Sequence, residues 1–224
     1  MEAESGARQP KSRRRLRRND PASTKELILD EAARLIERQG VAEMMIKDIA
    51  DAVGIRPPSV YKHFASREDV VAELVTRYER EIAEDVAPDD GLPPKAWIEQ
   101  WVKEIVLFFA LKPAYARLSL HELSRPGGDP TINARAGALD EAIAHEPLLS
   151  WGRRLGRKLA AGVKADDFAL VEAADFSALV IGATIFSVVW PFRAGGGGRM
   201  NMAEIERLQR SVVAAAFAIL RRRP

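Results

Sequence analysis

Between Asp48 and Phe64 the chain reads DIADAVGIRPPSVYKHF. This stretch constrains the fold more than any other. It predicts one helix of about two turns, a glycine, a paired proline and a second helix just as short. Helices of two turns are marginal on their own, so neighbouring elements must hold both in place. Gly54 can take the left-handed conformation that ends a helix without Cβ strain. Proline has no amide hydrogen to lose at a helix's first positions, so Pro57–Pro58 starts the next helix abruptly. The expected second helix, Pro58–Phe64, is pinned by Ile55, Val60 and Phe64. Ser59, Tyr61, Lys62 and His63 are left facing outward, with Arg56 at the mouth of the turn. These are hydrogen-bond donors, cations and a phenol, which suit phosphates and base edges. An α-helix fits the major groove of B-DNA, and helix-turn-helix proteins present their second helix there.

The flanking pattern supplies a mount for such a reading head. STKELILDEAARLIERQG has Ser23 or Thr24 as a cap, an apolar face of Leu27, Ile28, Ala32, Leu35 and Ile36, and Gly40 as its end. The first short helix is expected over Lys47–Val53, with Ile46, Ile49, Ala50 and Val53 inward. SREDVVAELVTRYEREIAEDV reads as a long helix capped by Ser66, with Val70, Leu74 and Tyr78 or Ile82 as its stripe. After the loop Ala87–Pro94, helical patterns run over about Lys95–Leu111, Pro113–Ser124, Thr131–His145, Pro147–Ala161, Asp166–Trp190 and Met202–Arg222. No window alternates with a period of two. The expectation is an all-α protein of about nine helices. It comprises a three-helix DNA-binding domain at 23–66, joined through helix 67–86 to a larger helical body within 67–224.

Composition narrows the chemistry. The 224 residues include no cysteine, and 47% are hydrophobic, which allows a sizeable core but no disulfide, thiol catalysis or cysteine-ligated metal. The N-terminus lacks an apolar signal region. The longest uncharged run, Phe176–Phe192, has 17 residues, short of a usual membrane span of about 20. A cytoplasmic protein with no membrane partner is expected. Net charge is only +2, but seven Lys/Arg and no acid fall between Arg8 and Asn19. Residues 1–22 read as a disordered basic arm, which suits either solubility or salt-dependent contact with DNA.

The segment IKDIADAVGIRPPSVYKHFASREDVVAELV resembles the DNA-binding domain of the TetR family of bacterial transcriptional regulators. The likeness covers about Thr24–Tyr78. It rests on the spacing Asp-Ile-Ala, Gly-Ile, Tyr-x-His-Phe and Arg-Glu-Asp. The resemblance implies a homodimer that binds a palindromic operator and releases it when a small, largely apolar effector enters the C-terminal domain. It further implies phosphate contacts at Lys47, Tyr61, His63 and Arg67, and base contacts at Arg56, Ser59 and Lys62. Where the family often has Thr or Ser before the second helix, this chain has Met44 and Met45, and a methionine cannot cap.

The last two helical patterns suggest a dimer interface through Phe176, Val180, Ile205, Leu208, Val212, Ala215 and Ile219, with alanines at 214–216 permitting close approach. The expected effector pocket is lined by Trp97, Trp101, Phe108, Tyr115, Trp151 and Phe186, with Glu104 and His121 as polar anchors. Aromatics at helical spacing also build plain cores, so a helical DNA-binding or adaptor protein without a ligand is the alternative. Catalysis finds no support. The three histidines, His63, His121 and His145, are dispersed, the His121-Glu122 pair lacks a second histidine four residues after the first, and RAGGGGR lacks the lysine of a phosphate loop. No cofactor and no metal are implied.

Overall fold

The computed structural model describes residues 21–123, 147–190 and 199–221. Among them are nine helices and no strand: α1 (Pro21–Gln39), α2 (Ile46–Val53), α3 (Pro57–Val60), α4 (Arg67–Asp85), α5 (Pro94–Leu111), α6 (Pro113–Leu123), α7 (Pro147–Lys164), α8 (Ala173–Val189) and α9 (Met202–Leu220). Residues 1–20 of the expected basic arm, the expected helix Thr131–His145 and the RAGGGGR connection apart from Arg199 lie outside the described residues, while Pro21 and Ala22 belong to α1.

The N-terminal unit forms around the apolar faces read from the sequence, except that Leu29 rather than Leu27 is buried on α1 and Val53 is only half-buried on α2. Ile28, Ala32, Leu35 and Ile36 of α1 close over Ile46, Ile49 and Ala50 of α2, with Val60, Phe64, Val70 and Leu74, all buried. Each Val, Leu, Ile or Phe among them contributes about 1.5–3 kcal/mol when withdrawn from water, and the alanines less. Ser66 accepts a hydrogen bond from the Asp69 amide at 3.0 Å and so caps α4.

The body is built around α5. Trp97, Ile98, Trp101, Val102, Ile105, Val106, Phe108 and Phe109 are all buried, because α4, α6, α7, α8 and α9 all pack against this one helix. The loop after α4 is clamped to α7. Arg154 donates to Asp90 Oδ1 at 2.9 Å and to the Pro88 carbonyl, and Lys158 donates to the carbonyls of Asp90 and Leu92 at 2.6 and 2.8 Å. The hydrogen bond from Arg154, more than any burial, holds the Asp90 carboxyl below the usual carboxylate range.

Several boundaries differ from the sequence expectation. Helix α1 starts at Pro21, so Ser23 lies inside it and is buried. Helix α3 starts one residue earlier, at Pro57, and ends at Val60; Tyr61–His63 continue as turns, with the His63 amide reaching back only three residues to Val60. The pattern from Asp166 does not run as one helix. Asp166 has φ 67°, Phe168 tucks beneath Gly162, and the Ala169 amide bonds to the Leu220 carbonyl at 2.8 Å. A Cβ on Gly162 would meet the Phe168 ring at 2.0 Å, so only glycine permits this close approach, and α8 begins at Ala173.

The expected interface set also changes. Phe176, Val180, Ile205, Leu208 and Val212 are buried within a single chain. They hold α8 and α9 to the body. Ala215 and Ile219 remain exposed. The exposed apolar stripe of α8 lies on its other side, through Leu179, Ala183 and Phe186, and continues to Trp190 just past its end.

Candidate nucleic-acid interface

The turn between α2 and α3 is set by three backbone hydrogen bonds. Gly54 sits at φ 76°, ψ 37°, and its amide bonds to the Ala50 and Asp51 carbonyls at 2.9 and 3.2 Å. The Ile55 amide also bonds to the Ala50 carbonyl, at 2.9 Å, so the left-handed residue satisfies the last carbonyls of α2. Pro57 then enters α3 at its first position, with Arg56 as N-cap. Val60 and Phe64 are buried and anchor α3, with Ile55 packed partly against the same core. The Lys25 ammonium lies 5.7 Å above the Phe64 ring and bonds to Glu73 Oε1 at 2.7 Å, tying α1 to α4 over that anchor.

This mount presents one polar surface. Lys47, Arg56 and Lys62 are exposed, Tyr61 is 55% exposed despite its ring, and Ser59 and His63 are half-buried. Apart from Arg67, the sequence-predicted contact residues thus lie exposed or half-buried along α2, α3 and the turns that flank α3. Cations and donors grouped in this way can neutralise phosphates and bond to base edges.

Arg67 is placed differently from the others. Its Nε donates to the Met44 carbonyl at 3.0 Å and its Nη2 to the Val41 carbonyl at 2.9 Å, while Nη1 lies 3.2 Å from Glu68. The guanidinium braces the α1–α2 turn from the start of α4. Met45 is the N-cap of α2, with extended backbone and no side-chain cap, and is 64% exposed. Met44 beside it is fully buried. The two methionines therefore have opposite environments, which their shared residue type could not reveal.

The expected effector residues separate into two groups. Trp97, Trp101, Phe108 and Tyr115 are buried in the body. The Arg154 guanidinium covers Trp97 at 5.8 Å, Trp101 meets Phe176 at 6.2 Å, and Phe108 stacks on Tyr115 at 6.0 Å. Glu104 Oε1 accepts from Gln100 Nε2 at 2.7 Å. Its Oε2 and the Trp97 indole nitrogen are buried with no hydrogen-bond partner among the described residues. His121 is half-buried on α6, while the side chain of Trp151 lies outside the described residues. Phe186 does not belong with the others: it is 52% exposed on the outer stripe of α8, stacked on Trp190 at 4.6 Å.

Sequence reasoning missed a polar cluster where α1, α4 and the α5–α6 corner meet. Arg77 Nη1 lies 2.7 Å from Asp30 Oδ1 and 3.6 Å from Glu26, and its Nε lies 2.8 Å from Glu81. Glu81 also accepts from Lys112 at 2.6 Å and from the Tyr115 hydroxyl at 3.2 Å. Burial alone would push the Glu81 carboxyl up, but the hydrogen bonds from Lys112 and Arg77 outweigh it and hold the group below the usual range. Only the four-residue spacing of Arg77 and Glu81 on α4 was visible in the sequence. Asp30 is 47 residues from Arg77.

Among the described residues no group of three or more His, Asp or Glu is placed to hold a metal ion, and no helix is long and apolar enough to cross a membrane.

Comparison with known proteins gives a consistent result. Residues 28–74 match the family model described as bacterial regulatory proteins, tetR family. The HTH-type transcriptional repressor KstR2 of Mycolicibacterium smegmatis is 37% identical over 57 residues, or 25% of this chain and 28% of that protein. KstR2 of Rhodococcus jostii is 44% identical over 48 residues, or 21% of this chain and 24% of that one. The match thus spans about a quarter of each curated relative's length. Among solved structures, a bacterial regulatory protein in the tetR family from Rhodococcus RHA1 superposes with a TM-score of 0.69 at 16% identity, covering 89% of this chain and 98% of that one. The TetR family transcriptional regulator PfmR from Thermus thermophilus gives 0.62 at 21% identity, covering 88% and 95%. At such identities the likeness is one of fold. The sequence match falls on the helices that carry the polar surface and the fold match extends over the body: residues 28–74 are similar to the tetR family of bacterial regulatory proteins, and the described helices share the fold of solved proteins of that family.

Proposed function

We propose that the chain acts as a homodimeric repressor that binds a palindromic operator and releases it when a small, largely apolar effector enters the helical body. The observation that carries the DNA half of this reading is the joint exposure of Lys47, Arg56, Tyr61 and Lys62 around a short helix held by Val60 and Phe64. Arg56, Ser59 and Lys62 are assigned to base edges, and Lys47, Tyr61 and His63 to phosphates. Arg67 acts by bracing the turn that carries Lys47. The repressors among the sequence relatives favour repression.

Pairing is supported by the outer stripe of α8, where Leu179, Phe186 and Trp190 stand exposed beside Ala214, Ala215 and Ile219 of the adjacent α9. Exposed apolar side chains on two packed helices suit an interaction surface. Two subunits suit the readout, since half-sites one turn apart lie about 34–36 Å from centre to centre. The effector half rests on Glu104 Oε2 and Trp97 Nε1. Buried polar atoms without partners cost about 1–3 kcal/mol each, and a ligand that bonds to them recovers that energy.

Selection of duplexes by the purified protein, from random DNA and from its own genome, tests the reading. A twofold-symmetric site and a solution mass of two chains are expected. Phe186→Asp should give single chains that retain helical content and lose the operator. A compound screen by thermal shift should then yield a saturable hit that weakens operator binding through linkage. A solution mass of one chain with full operator binding would refute pairing. A screen without any hit would favour the ligand-free alternative.

A further inference from the structure

The polar cluster at the junction of α1, α4 and α6 does not belong to the DNA surface or to the aromatic interior, yet it touches both. On one side Asp30 and Glu26 stand on α1, which carries the reading unit. On the other, the Tyr115 ring packs against Tyr78 at 5.1 Å and stacks on Phe108, inside the body. Arg77 and Glu81 stand between them on α4. The path runs without a break from Tyr115 Oη to Glu81, from Glu81 to Arg77 Nε, and from Arg77 Nη1 to Asp30. Lys112 braces it by pairing with both Glu81 and Asp85 at 2.6 Å.

Two features make this more than a surface ion pair. The Arg77 and Glu81 side chains are each only 24% exposed, so solvent screens them less than an ordinary exposed pair. The cluster also borders a cleft of about 310 Å³ lined by residues of α1, α4 and the α5–α6 corner, and by Arg199. A close-packed apolar junction would hold its angle by packing alone. Here α1 meets α6 beside an open cleft, and directional hydrogen bonds to two planar guanidiniums, Arg77 on Asp30 and Arg199 on Glu37 at 2.7 and 3.0 Å, fix its tilt across that cleft. Burial opposes charge on Arg77, yet its carboxylate partners keep it firmly protonated.

We infer that Arg77 is a positioning residue for DNA recognition: the chain Tyr115–Glu81–Arg77–Asp30 sets the tilt of the reading unit on the effector body. This rests on the proposed two-subunit operator reading, because tilt matters only when two reading heads must meet two grooves. Displacing the Tyr115 ring from within the body would loosen Glu81, and through Arg77 the hold on α1.

The test uses full-length protein and its selected operator, together with duplexes whose half-sites are moved apart by one or two base pairs and a duplex carrying a single half-site. Arg77→Met and Asp30→Asn should each lower the preference for the native spacing about fivefold. Binding to the single half-site should stay unchanged. Arg77→Lys should restore only part of the preference, because an ammonium keeps the charge but cannot bridge Asp30 and Glu81 with the same fork, and the double variant of Arg77→Met and Asp30→Asn should lose no more than either single one, because the two residues act as a pair. Glu99→Gln, which breaks an exposed pair with Lys103 on α5, should behave as wild type. Equal loss on every duplex, or undiminished spacing preference in both Arg77→Met and Asp30→Asn, would overturn the inference. Should Arg77→Met fail to fold, Asp30→Asn decides, since it keeps the side chain's shape. A wild-type protein indifferent to spacing would instead overturn the paired-operator reading itself, a distinguishable result.

Discussion

At the scale of single residues, the reading unit divides its cations between display and support. Lys62 is exposed on the turn after α3, whereas Arg67 is half-buried with its guanidinium bound to the Met44 and Val41 carbonyls. The two should therefore fail differently. Lys62→Ala should cost about 1–3 kcal/mol on the selected operator and relax the preference at particular base positions, measured by competition across single-base variants. Arg67→Lys should weaken binding to all duplexes alike and lower thermal stability by about 1 kcal/mol, since an ammonium cannot reproduce the fork. A base-specific effect from Arg67→Lys would mean that the brace is not its main role.

At the scale of elements, the short helices are held by their ends. Helix α2 finishes on a left-handed glycine with three satisfying hydrogen bonds, but its start is poor, because Met45 occupies the N-cap with φ −117° and ψ 150° and its side chain caps no amide. That backbone already suits a capping hydroxyl. Met45→Ser should stabilise the protein by about 0.5–1 kcal/mol in chemical denaturation, and an unchanged midpoint would show that the cap site is unusable. By contrast, α4 and α9 start on working caps, Ser66 to Asp69 and the reciprocal pair Asn201 and Glu204. Both are long helices that must hold their direction from the first turn.

At the scale of the whole molecule, two titrations report on how the two units are joined and packed. Glu81 has a folded-state pKa below its unfolded value of about 4.3. Its contribution is therefore present above about pH 4.3 and is lost as pH falls through the lowered folded value. The stability difference between wild type and Glu81→Gln should be constant near neutrality and shrink on acidification. Burial pushes the Tyr78 hydroxyl up to about 12, against a hydrogen bond to Ser119 that lowers it. Its neutral form favours the fold below about pH 10, and that support is lost as pH rises through about 12. Tyr78→Phe should flatten the alkaline limb of the pH–stability curve. A curve identical to wild type would mean that Tyr78 does not titrate with unfolding.

The all-helical class, the Gly54 turn, the Ser66 cap and the exposed set around α3 were legible in the chain because each depends on residues within about five positions of one another. Conformational freedom at glycine, the missing amide of proline and helical periodicity act locally, so the order of letters determines them. Which side of α8 faces the body was not legible. That helix is apolar nearly all round, and only packing against α5 decided that Phe176 and Val180 turn inward while Leu179 and Phe186 stay out. The late start of α8 was hidden for the same kind of reason: Phe168 leaves the helical path to fill space beside Gly162 and Leu220. The junction of Asp30, Arg77, Glu81 and Tyr115 joins residues up to 85 positions apart along the chain. Attraction between charges depends on distance in space, and only the tertiary structure supplies that distance.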